Sequence, residues 1–184
     1  MFACRERHAP APMPRCRGLR HRHRSVRHDG HVNFSYRLTG TGWGEATLST
    51  DDSRIVLPSS YLSDVLGDLL LAINALLEGA PEARCSWELE PGEYRWLFSQ
   101  DDGALDLRIL AFPDSWPIQP DEQGEVVFQV AGPLADVATD LTAGIADVLA
   151  TYGEADYRKR WVQHPFPTGT LRAVQNLLGS GQRP

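Results

Sequence analysis

Chemically versatile side chains are scarce in most of this chain. Residues 32–184 contain one histidine, His164, and one cysteine, Cys85. The motifs HExxH, CxxC, GxSxG and the P-loop, which gather metal ligands, nucleophiles or phosphate-binding groups locally, do not occur. Cys85 alternates with Trp87 on an apolar strand pattern, where a thiol is buried and inert. This inventory favours a non-enzymatic protein and predicts no cofactor and no metal.

Carboxylates are the one abundant group that could do acid–base chemistry. They gather at one hairpin end and along one loop: Glu88, Glu90, Glu93, Asp114, Asp121, Glu122 and Glu125. General acid–base catalysis needs two carboxylates in different environments. Abundance alone is typical of a solvated surface. Whether any pair is catalytic stays open from the sequence.

The segment PDSWPIQPDEQG, residues 113–124, is a long proline-rich loop that carries a tryptophan. Trp116 has no strand or helix pattern to join there. Loops often carry the binding residues of a scaffold, whereas an indole can also fold back as an anchor because of the area it buries. Both interpretations stay open, and Trp116, Asp114, Asp121 and Glu122 are candidate partner contacts.

The pattern over residues 84–112 predicts a three-stranded antiparallel meander. A tight turn at EPGE would place Trp87 opposite Trp96. A second turn at DDGA would place Trp96 opposite Ile109. Both registers gather apolar residues on one face, and a slip by one residue would destroy that face.

The second face of the meander mixes charged and apolar residues. The predicted registers place Arg95 opposite Glu88, as an ion pair, and opposite Leu110. Apolar residues on this face are either covered by another part of the chain, such as the C-terminal segment, or contact a partner. Intramolecular cover is the commoner outcome. The candidate partner contacts here are Glu88, Arg95, Leu97, Arg108 and Leu110.

Strands and helices are predicted on either side of the meander. Apolar residues at helical spacing predict a helix over 61–78 and another that begins at Pro133 and ends at Gly153. Two short helices, 154–163 and 170–178, are predicted after them. The fold class is therefore α+β: an antiparallel sheet of six to seven strands, two long amphipathic helices on one face, and two short C-terminal helices.

The stretch YRKRWVQHPFP, residues 157–167, combines three cations, an indole and an imidazole. Tyr157 and Trp161 are i, i+4 neighbours that would dock a short helix on the core. The cations fall near the negative end of that helix, and the first proline turns the chain away. We interpret the stretch as a helix end and a corner. The alternative is an enzyme or small-ligand site in a pocket between the 113–124 loop and His164.

Charge divides the chain into two parts. Residues 1–31 carry eight arginines against two acids, a net charge of +6, without apolar periodicity. We interpret them as a disordered basic segment and as an over-extended gene start, since Val32 could be an alternative start codon read literally. Nucleic-acid binding is disfavoured because aromatic residues that stack on bases are nearly absent there. Residues 32–184 carry 10 basic and 22 acidic side chains, a net charge of −12, and form a single acidic domain.

The stretches GWGEATLS, WELEPGEYRW and YRKRWVQHPFP together resemble a family of small uncharacterised actinobacterial proteins, over roughly residues 34–178. This resemblance implies no particular activity and no particular site residues. The chain is also similar to the immunity proteins of bacterial toxin systems in being small, acidic, α+β and without catalytic motifs. We expect residues 32–184 to be a cytoplasmic, protein-binding domain, since they contain one cysteine and no apolar stretch of membrane-spanning length. Its charge would favour a basic partner.

Overall fold

The computed structural model describes residues 30–181, which form two antiparallel sheets and three helices. The first sheet consists, in spatial order, of β1 (Asn33–Gly40), β2 (Trp43–Ser49) and β3 (Arg54–Ser60). The second consists, in spatial order, of β4 (Glu82–Glu88), β5 (Glu93–Asp101), β6 (Ala104–Phe112) and β7 (Glu125–Pro133). The helices are α1 (Val65–Leu77), α2 (Leu134–Trp161) and α3 (Thr168–Gly181). The predicted basic segment lies outside the described residues, apart from Gly30 and His31.

The α+β class is confirmed, but the predicted single sheet of six to seven strands is wrong, because the described strands divide three and four. β3 pairs with β2 and β4 pairs with β5, with no ladder between the two sheets. In β1, buried and exposed residues alternate, as they do in any strand with one covered face. This alternation predicts strands, but it is the same whether they form one sheet or two.

The helices are also distributed differently from the prediction of two long helices on one face. α1 packs mainly on β4 of the second sheet, whereas α2 packs mainly on β1 of the first. The helix end predicted at Gly153 is present within α2, because Gly153 has non-helical angles, φ 67° and ψ 169°, and separates a helix over 134–152 from a second over 154–161. A positive φ of this kind favours glycine, which explains why the chain bends there.

The meander predicted over 84–112 is present, with one register confirmed and one wrong. Trp96 lies opposite Ile109 across β5 and β6, as predicted. Trp87, however, lies opposite Tyr94 rather than Trp96, so the β4–β5 register differs from the prediction by two residues. Because a shift of two preserves the face of every side chain, the apolar face is unaffected.

The register differs because the connection between β4 and β5 is a four-residue loop, 89–92, instead of a two-residue turn. The N–H of its first residue donates to the carbonyl of its last, at 2.7 Å. Glu88 consequently lies opposite Glu93, and Ser86 lies opposite Arg95. The predicted cross-strand ion pair between Glu88 and Arg95 is therefore wrong.

An aromatic cluster joins the two sheets to α2. The Tyr36 ring of β1 makes edge-on contacts with Trp87 of β4 and Trp161 of α2, at centroid separations of 6.2 and 6.1 Å. Trp87 in turn lies 4.7 Å from Trp96. The three indoles are completely buried. Each edge-on pair adds about 0.5–1.5 kcal/mol beyond area burial, so this cluster is a principal connection between the sheets.

The close approach of α2 to β1 generates a test. A Cβ on Gly144 would lie 2.2 Å from the Phe34 carbonyl oxygen. We therefore expect Gly144→Ala to lower the free energy of unfolding by about 1–3 kcal/mol, because helix or strand must shift. In α3, Gly179→Ala adds a Cβ with nothing within 4 Å, and it should raise that free energy by up to about 1 kcal/mol. Urea denaturation measures both, and equal effects would contradict the close packing.

Candidate functional site

The outer face of the second sheet, opposite the aromatic cluster, is organised around Arg95. Its side chain is only 5% exposed. One terminal nitrogen donates to the Gln119 carbonyl at 2.5 Å and to Asp121 Oδ1 at 2.9 Å. The other donates to Glu93 Oε1. The guanidinium also lies over the Phe112 ring, 4.1 Å from its centroid.

The guanidinium of Arg95 remains charged in this environment. Burial lowers the pKa of Arg95, but the hydrogen bonds and negative charges of Glu93 and Asp121 outweigh burial, so its pKa is raised. Buried charges are tolerated in proteins when they are paired and hydrogen-bonded in this way. The two carboxylates come from the same strand and from the 113–124 loop, so the ion pairs attach the loop to the sheet.

The 113–124 loop covers the apolar residues of the outer face. Leu110 and Phe112 are each 3% exposed. A Cβ on Gly124, at the end of the loop, would lie within 3 Å of both side chains, which shows how closely the loop approaches. The cover is thus intramolecular, and the loop supplies it instead of the C-terminal segment. Arg95 and Leu110, two of the candidate partner contacts, are consequently not accessible at the surface.

The middle of the loop projects into solvent while its flanks are fixed. Trp116 is 79% exposed and Ile118 is 76% exposed. On one side, the Ser115 N–H donates to the Pro91 carbonyl at 2.7 Å. On the other, the Gln119 carbonyl accepts from Arg95. We call residues 116–118 the apolar tip.

A shallow groove of ≈ 410 Å³ lies on the same outer face, and we call it the outer-face groove. Arg84, Leu97 and Arg108 line it and form a row across three strands, because Leu97 lies opposite both arginines. Asp121 also lines it, 3.5 Å from the Arg84 guanidinium. The sequence missed Arg84 because the predicted register placed another residue opposite Leu97.

The remaining acidic candidates lie around these features. Asp114 and Glu122 are exposed in the loop on either side of the apolar tip. Glu88 is exposed at the end of β4, and its backbone N–H donates to Ser63 Oγ at 3.0 Å. The structure therefore groups Trp116, Leu97, Arg108 and the loop acids on one side of the sheet, whereas Glu88 lies at its end.

His164 lines neither of the two grooves to which residues of the 113–124 loop contribute. It interacts electrostatically with Asp64 and Asp68 at the start of α1. That helix packs on the inner side of the second sheet, where the charge of Asp68 also acts on buried Cys85. The loop covers the outer side, and the grooves that its residues line do not include His164.

The Asp64, Asp68 and His164 group was not predicted, because its members come from distant parts of the sequence. Burial raises the pKa of Asp64, while the Gly67 N–H and His164 lower it, with a net rise. Burial and then the charge of Asp64 raise the pKa of Asp68, while His164 lowers it, again with a net rise. Burial also raises the pKa of Cys85, which keeps that thiol protonated, as the sequence predicted.

No protein-family model, curated protein or solved structure gives a significant match to this chain. Among residues 30–181, no helix combines the length and the apolar character that crossing a membrane requires. Within the same residues, no three His, Cys, Asp or Glu side chains are grouped as a metal site would need. The resemblance to a family of actinobacterial proteins stays a prediction.

The role of Arg95 can be tested by removing it. Arg95→Ala would leave Glu93 and Asp121 without their cation, and we expect it to lower the free energy of unfolding by about 3–5 kcal/mol. Arg108→Ala is the matched control, because that arginine is exposed and 3.7 Å from Asp106. Its loss should change stability by less than about 1 kcal/mol. Thermal and urea denaturation would show the difference, and similar effects would mean that Arg95 does not anchor the loop.

The raised pKa of Asp68 predicts a pH-dependent effect. A carboxyl whose pKa is raised on folding favours the folded state at low pH and loses that contribution as the pH rises through its folded pKa. Asp68→Asn should therefore stabilise the protein at neutral pH, by about 0.5 kcal/mol or less because solvent screens a partly exposed charge. This increase in the free energy of unfolding should disappear at pH values below 3.8, the ordinary pKa of the carboxyl group.

The control for this substitution is Asp136→Asn. Asp136 also lies in the first turn of a helix, α2, where a negative charge is favourable. Asp136→Asn should therefore not raise the free energy of unfolding at neutral pH. Urea denaturation of both variants across the acidic range makes the comparison, and a pH-independent gain in Asp68→Asn would show that burial of the charge is not its cause.

Proposed function

We propose that this chain is a non-enzymatic protein-binding domain that contacts its partner through the apolar tip and the outer-face groove. The observation that carries the proposal is the exposure of Trp116 and Ile118, 79% and 76%, on a loop whose flanks are fixed. Large apolar side chains seldom remain exposed side by side without a partner. Tryptophan is also among the residues that contribute most to binding energy at protein interfaces.

The anchoring of the loop supports binding because it reduces the entropy that is lost on association. Ser115 and Gln119, next to the tip on either side, are hydrogen-bonded to Pro91 and Arg95. A contact that is already ordered loses little conformational freedom when the partner arrives. The tip therefore has the properties of an anchor side chain presented by a fixed support.

Charge supports a basic protein as the partner. Asp114 and Glu122 flank the tip in exposed positions, and residues 32–184 carry a net charge of −12. Such a field accelerates association with an oppositely charged protein. Arg84 and Arg108 in the groove add cations that would fix the orientation of the partner through its acidic side chains. A cytoplasmic immunity protein, which neutralises a basic toxin, is the type of protein that these features fit best.

The test compares two tryptophans. Immobilised wild type, Trp116→Ala and Trp43→Ala would be used to capture proteins from the source cell, and the captured protein would then be purified and titrated. Trp116→Ala should weaken binding by about 30-fold or more, since an anchoring tryptophan contributes about 2 kcal/mol or more. Trp43→Ala removes a partly exposed indole elsewhere and should leave the affinity unchanged.

Three outcomes would contradict the proposal. The first is that no protein is enriched by the wild type over an unrelated acidic protein of the same size. The second is a partner that binds wild type and Trp116→Ala equally. The third concerns charge: a partner without net positive charge, whose association rate does not fall with added salt, would refute the basic-partner part.

A further inference from the structure

A second concave region lies at the base of the 113–124 loop, where the two sheets meet. Its volume is ≈ 540 Å³, which is more than that of the outer-face groove. Trp43 and Pro58 of the first sheet line it, together with Tyr94 of the second sheet and Pro113 of the loop. We call it the inter-sheet cleft. Its size falls in the range of about 300–1,000 Å³ that is typical of small-ligand sites.

Hydrogen bonds hold the walls of the inter-sheet cleft in place. Ser60 Oγ donates to the Glu88 carbonyl at 2.8 Å, which ties the first sheet to the second. Next to Trp43, the Gly42 N–H donates to the Arg160 carbonyl at 2.6 Å. These hydrogen bonds fix the position of the first sheet relative to the second sheet and α2 next to the cleft.

The charge of the cleft is one-sided. Glu90 and Glu125 line it and are exposed, and neither forms an ion pair within residues 30–181. Glu93 lines it too, but Arg95 neutralises that carboxylate. Among the described residues that line the cleft, none is Arg, Lys or His. Anions are repelled by such a rim, and cations are attracted.

We propose that the inter-sheet cleft binds a small organic cation with an apolar body. The cationic group would lie between the face of Trp43 and the carboxylates of Glu90 and Glu125, because an indole face attracts cations and the carboxylates balance the charge. The apolar body would lie against Tyr94 and Pro113. This activity is separate from the protein-binding surface, since neither Trp116 nor Ile118 lines the cleft.

Benzyltrimethylammonium is a suitable probe, with phenylacetate as an anionic ligand of similar size. Titration followed by NMR should shift the indole N–H signal of Trp43 and leave that of Trp116 unchanged. Trp43→Ala should weaken binding by about two- to fivefold, as expected for a cation–π contact at a partly exposed site. Trp43→Phe keeps an aromatic face and should retain part of the affinity. The double variant Glu90→Gln, Glu125→Gln should bind the ammonium more weakly.

Trp116→Ala is the control that separates this proposal from the protein-binding function. It should lose the protein partner and bind benzyltrimethylammonium as the wild type does. Circular dichroism would establish that each variant is folded before it is titrated. Equal binding of phenylacetate and the ammonium, unchanged affinity in folded Trp43→Ala, or no shift of the Trp43 signal at millimolar probe would each overturn the cation site.

Discussion

The contact of Tyr36 with Trp87 and Trp161 is the interaction on which the rest of the structure depends. Tyr36 belongs to the first sheet, Trp87 to the second and Trp161 to α2. Since no strand ladder joins the sheets, side-chain packing and side-chain hydrogen bonds such as that of Ser60 with the Glu88 carbonyl hold them in place. The Tyr36 hydroxyl also forms a 2.9 Å hydrogen bond with Ser59, so the buried ring keeps a polar partner within its own sheet.

This arrangement leaves the outer face of the second sheet without a helix, and the 113–124 loop takes that place. A loop has few apolar side chains to bury, so its attachment depends on one buried cation, Arg95, shared between Glu93 and the loop. The ion pairs of Arg95 and the exposure of the apolar tip are therefore connected. Because the flanks of the loop are attached to the sheet, Trp116 can project into solvent from a fixed position.

The stretch YRKRWVQHPFP shows how a group of reactive residue types can serve the fold. Tyr157 and Trp161 are completely buried. Arg160 pairs with Asp156 one turn earlier, and its carbonyl accepts from the Gly42 N–H at the edge of the inter-sheet cleft. His164 lies beside the acids at the start of α1. The stretch therefore holds the first sheet, α2 and α1 together, and the surfaces proposed for binding lie elsewhere.

The sequence by itself determined the strands, the apolar face of the meander, the end of a helix at Gly153 and the loop that carries Trp116. Each of these depends on local periodicity or on a residue with special backbone geometry, and both are visible in a single chain. Tertiary structure alone decided the number of sheets, the β4–β5 register and the burial of Arg95. A two-residue shift preserves every face, and alternation is the same in one sheet or two. Only the packing of distant segments distinguishes these cases.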